Sequence, residues 1–178
     1  YRGTTYSDVS TTGNATYRQT TYGIRNISGA AYGYTHICNT RIGSVDVDVQ
    51  ELLDAGVVVC VAAGNRSFKI DIIGGTGYNN TIQTDTGTKY IHRGSSPHDD
   101  DAISVGNSDR VAFSTTLDQK ATSSETGPGV DIYAPGTNII SSCSTTNRFG
   151  ASSYYNNATF RQVNISGTSM ASPQVAGV

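Results

Sequence analysis

The run Ala55-Gly56-Val57-Val58-Val59-Cys60-Val61-Ala62-Ala63-Gly64-Asn65 constrains this chain of 178 residues more than any other segment. It is apolar, largely β-branched, and closes on small residues and an amide. No polar position interrupts the valines, so the run reads as a parallel strand buried on both faces. Just before it, Val45, Val49, Leu52 and Leu53 fall at i, i+4, i+7 and i+8, the stripe of a helix with one apolar face. Ser44 stands where it can cap that helix and Gly56 where it can end it. Val45-Asp46-Val47-Asp48-Val49 also alternates like a strand, so the first turn carries two signals. Helix, tight turn and buried strand in succession imply an α/β fold. In open α/β sheets binding sites form beyond the carboxyl ends of the strands, where Gly64 and Asn65 lie.

A second segment carries reactive chemistry: Ile165-Ser166-Gly167-Thr168-Ser169-Met170-Ala171-Ser172-Pro173-Gln174-Val175-Ala176-Gly177. Ser169 sits between a glycine turn and a run of small residues able to start a helix. A nucleophilic serine needs such a place, where the helix N-terminus and free N–H groups favour negative charge and small neighbours leave an approach open. A Gly-Thr-Ser turn can also do no more than cap a helix, and an Asn after a Gly can be a turn residue.

The serine segment resembles the motif Gly-Thr-Ser-Met-Ala-x-Pro-x-Val-Ala-Gly of the subtilisin-like serine proteases, the subtilases. Ala62-Ala63-Gly64-Asn65 is similar to their Ala-Ala-Gly-Asn motif. Four further stretches resemble the strands and turns that lead to the serine in that family. These are Ile103-Ser104-Val105-Gly106 with Ala112-Phe113-Ser114, then Gly129-Val130-Asp131-Ile132-Tyr133-Ala134-Pro135-Gly136, then Ile139-Ile140-Ser141-Ser142. The resemblance covers residues 42–178 and leaves 1–41 unassigned. It implies a three-layer subtilisin-like fold with a mostly parallel sheet, incomplete at both ends. It also implies Ser169 as nucleophile, Asn65 as oxyanion donor, and Ala62, Ala63 and Gly64 as one wall of the substrate pocket. Asp131 falls in a scaffold box and receives no catalytic role.

The family's Asp-Ser/Thr-Gly and His-Gly-Thr motifs precede the oxyanion asparagine, and here they do not. His36 lies in Tyr34-Thr35-His36-Ile37, and Asp8, Asp46, Asp48 and Asp54 lack the Ser/Thr-Gly that should follow. Asp85-Thr86-Gly87 and His92-Arg93-Gly94-Ser95 echo the two motifs on the wrong side of Asn65, in an Asn- and Thr-rich stretch that reads as an exposed inserted loop. The expectation is therefore the C-terminal part of a catalytic domain whose Asp and His come from residues before Tyr1. The chain alone should turn over substrate poorly, since a serine needs a base and the base an orienting carboxylate. The Ser-Leu-Gly-Gly-like strand that lines the family's specificity pocket has no counterpart in His36-Ile37-Cys38-Asn39-Thr40-Arg41-Ile42-Gly43.

Composition sets outer bounds. Charged residues make up 15%, below the ~25% of ordinary soluble domains, and Thr, Ser, Asn, Gly and Tyr are abundant. That balance leans toward an extracellular or virion-borne setting and leaves localisation open. A net charge of −2 argues for neither nucleic acid nor an anionic membrane. No apolar run reaches membrane-spanning length. Cys38, Cys60 and Cys143 form no CxxC pair; Cys60 reads as a buried small hydrophobe, and a Cys38–Cys143 disulfide stays open. His36, His92 and His98 lack zinc-ligand spacing, and Asp99-Asp100-Asp101 reads as a solvated charge run more than a calcium loop, so no cofactor is expected. Sequons at Asn14, Asn26, Asn79, Asn157 and Asn164 read as accidents of composition. Three functions follow: an endopeptidase acting on polypeptides, a hydrolase with a Gly-x-Ser-x-Gly-like elbow, or an inert subtilase-like module among other virion proteins. In the second, Asp and His would have to follow Ser169, against the order seen here.

Overall fold

The helical stripe forms a helix, α1, over Gly43–Asp54. In the computed structural model the described residues are 5–6, 41–75, 77–78, 81–84, 87–90, 92–109, 119–144 and 162–178. Helical periodicity wins over strand alternation in the first turn because Val49 gains a core: it is buried against Val61 and Ala102, with Leu53 and Val59 packed alongside. Leu52, the remaining large member of the stripe, stays 47% exposed. The helix begins one residue before the expected cap. Ile42 occupies the N-cap position with no side-chain hydrogen bond, so Ser44 lies inside the first turn. The stop is as expected. Gly56 adopts φ +79°, and its N–H reaches the Leu53 carbonyl while that of Val57 reaches Leu52, the paired bonds of a Schellman end.

The apolar run yields a shorter strand than its sequence predicts. Strand β2 spans only Cys60–Ala62, and Val57 and Val58 are 47% and 76% exposed. Those valines span the turn out of α1, ahead of the first paired residue. Numbered in chain order, the strands are β1 (Thr5–Tyr6), β3 (Thr81–Thr84), β4 (Gly87–Tyr90), β5 (Ile103–Asp109), β6 (Gln119–Lys120), β7 (Ile132–Pro135), β8 (Ile139–Ser142) and β9 (Gln162–Ile165). β5 is the central strand. β2 pairs with it in parallel along one edge, Cys60 opposite Ile103, and β7 in parallel along the other, Val105 opposite Ile132. β6 pairs antiparallel with the last two residues of β5.

A second helix, α2 (Thr168–Ala176), completes the layers. Its Ala171, fully buried, packs on Val105 and Ala134, with Cys60, Ile103 and Val175 around them. Successive β2 residues point to opposite faces: Cys60 faces the α2 cluster, and Val61 joins α1. Helix, sheet and helix are stacked, a mixed α/β architecture with a mainly parallel sheet.

The stretch expected to be an inserted loop is ordered differently. β3 and β4 form an antiparallel pair, Thr81 opposite Tyr90, and β1 adds to β3 in parallel. Thr, Ile and Tyr favour a pleated backbone, which the Asn-rich flanks obscure. Asp85 and Thr86 lie outside the described residues, as do Cys38, His36 and the sequons at Asn14, Asn26, Asn79 and Asn157. β8 and β9 form a second antiparallel pair that leads into α2.

At Gly56 an added Cβ meets nothing within 4 Å, so only its left-handed backbone resists substitution. Gly56→Ala should lower stability by about 1 kcal/mol, read as a lower urea midpoint.

Candidate active site

The parallel strands β2, β5 and β7 deliver Asn65, Asn107 and Gly136 to one end of the sheet, and α2 starts over that same end. The amide of Gly167 donates to the Gly136 carbonyl at 2.8 Å. A Cβ on Gly136 would come within 2.6 Å of the Gly167 carbonyl oxygen, so the turn after β7 touches the turn before α2 only because residue 136 is glycine. Gln174, two turns further on, donates to the carbonyls of Pro135 and Met170, pinning α2 to the end of β7.

Asn65 and the serine turn are brought into direct contact across 103 positions of sequence. The Thr168 amide donates to Asn65 Oδ1 at 2.9 Å, and the Thr168 hydroxyl reaches the same oxygen at 3.3 Å. That hydroxyl also accepts from the Gly64 amide at 3.1 Å. Asn65 is exposed, and with its oxygen held by two donors its NH₂ group remains for donation. Ser169 is the next residue, exposed, in the first turn of α2, where backbone N–H groups lack intrahelical acceptors. A Cβ on Gly167 would press on the Asn65 amide at 3.3 Å. Thr168, fully buried, is the clamp that sequence reasoning passed over; its only signal was its place beside the serine.

Ala62, Ala63 and Gly64 run up to this turn. Ala63 is buried with Ile70 and Val130, and Ala62 and Gly64 are half-buried. Behind Gly64 lies Glu125, 1% exposed, whose amide donates to the Gly64 carbonyl at 3.0 Å. Burial pushes the Glu125 carboxyl up to about 8, against the opposing pull of the nearby Phe68 and Arg66 amides and of the Arg66 and Lys120 charges. The Phe68 and Arg66 amides approach the carboxyl without meeting hydrogen-bond geometry, and neither of its oxygens has another partner.

The other titratable groups hold scaffold. Asp131 Oδ2 accepts from the Ser104 amide at 2.8 Å. His92 is buried, with Nδ1 3.2 Å from the Gly77 carbonyl, and its own carbonyl accepts from the Asp71 amide. His98 Nε2 pairs with Asp100 at 3.4 Å, while burial holds its pKa below the usual histidine value. A cleft of about 190 Å³ lined by Asp71, His98, Asp99, Asp100 and Asp131 lies at the start of β5, away from Asn65. Among the described residues no group of three acidic, His or Cys side chains is arranged to hold a metal. Cys60 and Cys143 are free thiols. No described helix is long and apolar enough to cross a membrane.

The sequence aligns with a known family over nearly the whole chain: the profile of the subtilase family matches residues 5–178. The chain belongs to the subtilases. Subtilisin-like protease 5 of Trichophyton tonsurans is 32% identical over 128 residues, which cover 72% of this chain and 22% of that protein. The Arthroderma benhamiae protease of the same name matches to the same extent. Subtilisin-like protease 4 of Trichophyton equinum is 47% identical over 68 residues, 38% of this chain and 14% of that protein. This subtilase chain thus spans about a fifth or less of the length of these relatives.

Between its unfolded value of 4.5 and its folded value of about 8, Glu125 keeps a proton in the folded chain that the unfolded chain has released. Folding stability should therefore fall as pH rises across that window. Glu125→Gln should flatten that slope, measured as urea midpoints from pH 5 to pH 9.

Proposed function

We propose that the protein carrying this chain is a serine endopeptidase in which Ser169 attacks the scissile carbonyl of a polypeptide and Asn65 binds the oxyanion. The observation that carries this reading is the Thr168–Asn65 clamp, which ties the exposed Asn65 amide to the residue just before an exposed serine at a helix N-terminus. The Ser169 N–H, in the first turn, is the second donor. Charge that develops on the carbonyl oxygen is met by donors already in place, so little reorganisation is needed in the transition state. The acyl-enzyme formed at Ser169 is then hydrolysed by water.

The base and its orienting carboxylate belong, in this proposal, to residues outside this chain, in the order the family motifs follow. Residues 42–178 are taken as part of the catalytic domain, and 1–41 as a segment without an assigned role. The wall of Ala62, Ala63 and Gly64 flanks the substrate's extended backbone. Small side chains there leave room for a substrate residue, and Gly64 is held by both Thr168 and Glu125.

In the full-length protein a fluorophosphonate should label Ser169, and Ser169→Ala should abolish labelling. Labelling that survives this substitution would place the nucleophile elsewhere, and no labelling of the wild type would favour an inert module. Asn65→Leu should cut kcat by about 100-fold or more, the scale that loss of such a donor costs in subtilisin itself, a member of the same family. Thr168→Val keeps the side-chain volume and the backbone donor but removes the hydroxyl from Asn65 Oδ1. It also leaves the Gly64 amide without its acceptor, so it should lower kcat/KM by about tenfold and folding stability by about 1 kcal/mol.

A further inference from the structure

Among the described residues, the side-chain oxygens that are buried without a hydrogen-bond partner are the two of Glu125. They lie under the loop that carries Asn65. Oε1 stands 2.7 Å from where a Gly64 Cβ would project, which puts the carboxyl within about 8 Å of the Asn65 Cα. The loop is laced over it by main-chain bonds: Glu125 N to the Gly64 carbonyl, Ser67 N to Ser123, and Thr126 N to Phe68. The carboxyl therefore fills the underside of the loop and is shut off from water. A carboxyl in such a place is tolerated as the neutral acid and costly as the anion.

We propose that Glu125 is a positioning residue for the reaction at Ser169: as the neutral acid it supports the Asn65 loop, and its ionisation sets a negative charge beneath the oxyanion and slows acyl transfer. This inference rests on the Ser169–Asn65 reading. The charged groups that face Glu125 are Arg66 on the loop and Lys120 on β6. Lys69 turns to Asp71 at 3.7 Å. From β7, Tyr133 donates its hydroxyl to the Glu125 main-chain carbonyl at 3.3 Å. β2 supplies only Cys60, which packs into the Val105–Ala171 cluster. Lys120 donates to the carbonyls of Ala121 and Ser124 at 2.9 and 3.1 Å, so its ammonium is fixed beside the Glu125 segment. An oxyanion bound by the Asn65 amide lies about 6 Å beyond the Asn65 Cα, so up to roughly 14 Å from the carboxyl, and at an effective dielectric of about 20 like charges so placed repel enough to slow a reaction about fivefold or more.

The test is the pH profile of kcat/KM from pH 5 to pH 10, measured on the full-length protein with an uncharged peptide anilide. Wild type, Glu125→Gln and Lys120→Met are compared, with folding checked by circular dichroism. The wild type should lose about fivefold or more of its rate above pH 8 or so. Glu125→Gln should keep the acid limb and hold a plateau to pH 10, and Lys120→Met should move the alkaline fall to higher pH. An alkaline fall unchanged in both variants overturns the inference. If Glu125→Gln does not fold, Lys120→Met decides alone: a displaced fall supports the inference and an unmoved one overturns it. A wild type that neither turns over substrate nor takes a fluorophosphonate at any pH overturns the parent reading and this inference with it. Labelling at Ser169 with an unmoved fall overturns this inference only.

Discussion

One side-chain oxygen holds the candidate site together. Asn65 Oδ1 receives both donors of Thr168, the amide and the hydroxyl, and so ties the end of β2 to the start of α2. The bond does two things at once. It satisfies an N–H at a helix N-terminus that would otherwise lack a partner, and it fixes which way the Asn65 amide faces. Removal of the oxygen would leave buried Thr168 short of an acceptor; removal of Thr168 would let the amide turn. The position of Ser169 follows, because it is the next residue of a helix whose first turn is already fastened.

That clamp works because the sheet beneath it is rigid where it matters. β5 is fully covered at Val105, and Ala171 of α2 sits on it with no exposed surface. Small side chains at Ala134 and Ala171 allow the helix to approach the sheet closely, and the Gly136–Gly167 contact extends that closeness to the main chain. Gln174 secures the second turn against β7. α1 covers the opposite face through Val49 and Val61. Glu125 departs from this economy of small apolar groups: it places an ionisable group where the packing supplies no partner for it.

Much of this was legible in the chain. Helical spacing in Val45, Val49 and Leu53, with Gly56 behind it, was enough to define α1, because amphipathic periodicity and a left-handed stop are local properties. The Ala-Ala-Gly-Asn and Gly-Thr-Ser motifs marked both halves of the site. The valines were misleading: Val57 and Val58 look like strand interior, yet they lie ahead of the paired residues, and local composition does not say where pairing begins. β3 and β4 were hidden for the converse reason, since polar Thr-rich strands resemble loops until a partner is placed beside them. Ser44 resembled a cap, but the helix started one residue sooner.

The sequence by itself determined the fold class, the two reactive segments and the subtilase family, because periodicity, turn chemistry and motif order are written in neighbouring residues. Only the tertiary structure decided that Thr168 grips Asn65 and that an unpartnered Glu125 lies beneath Gly64. Both depend on distances between residues tens of positions or more apart, and those distances exist only after the sheet has set the register of its strands and the helix has settled on it.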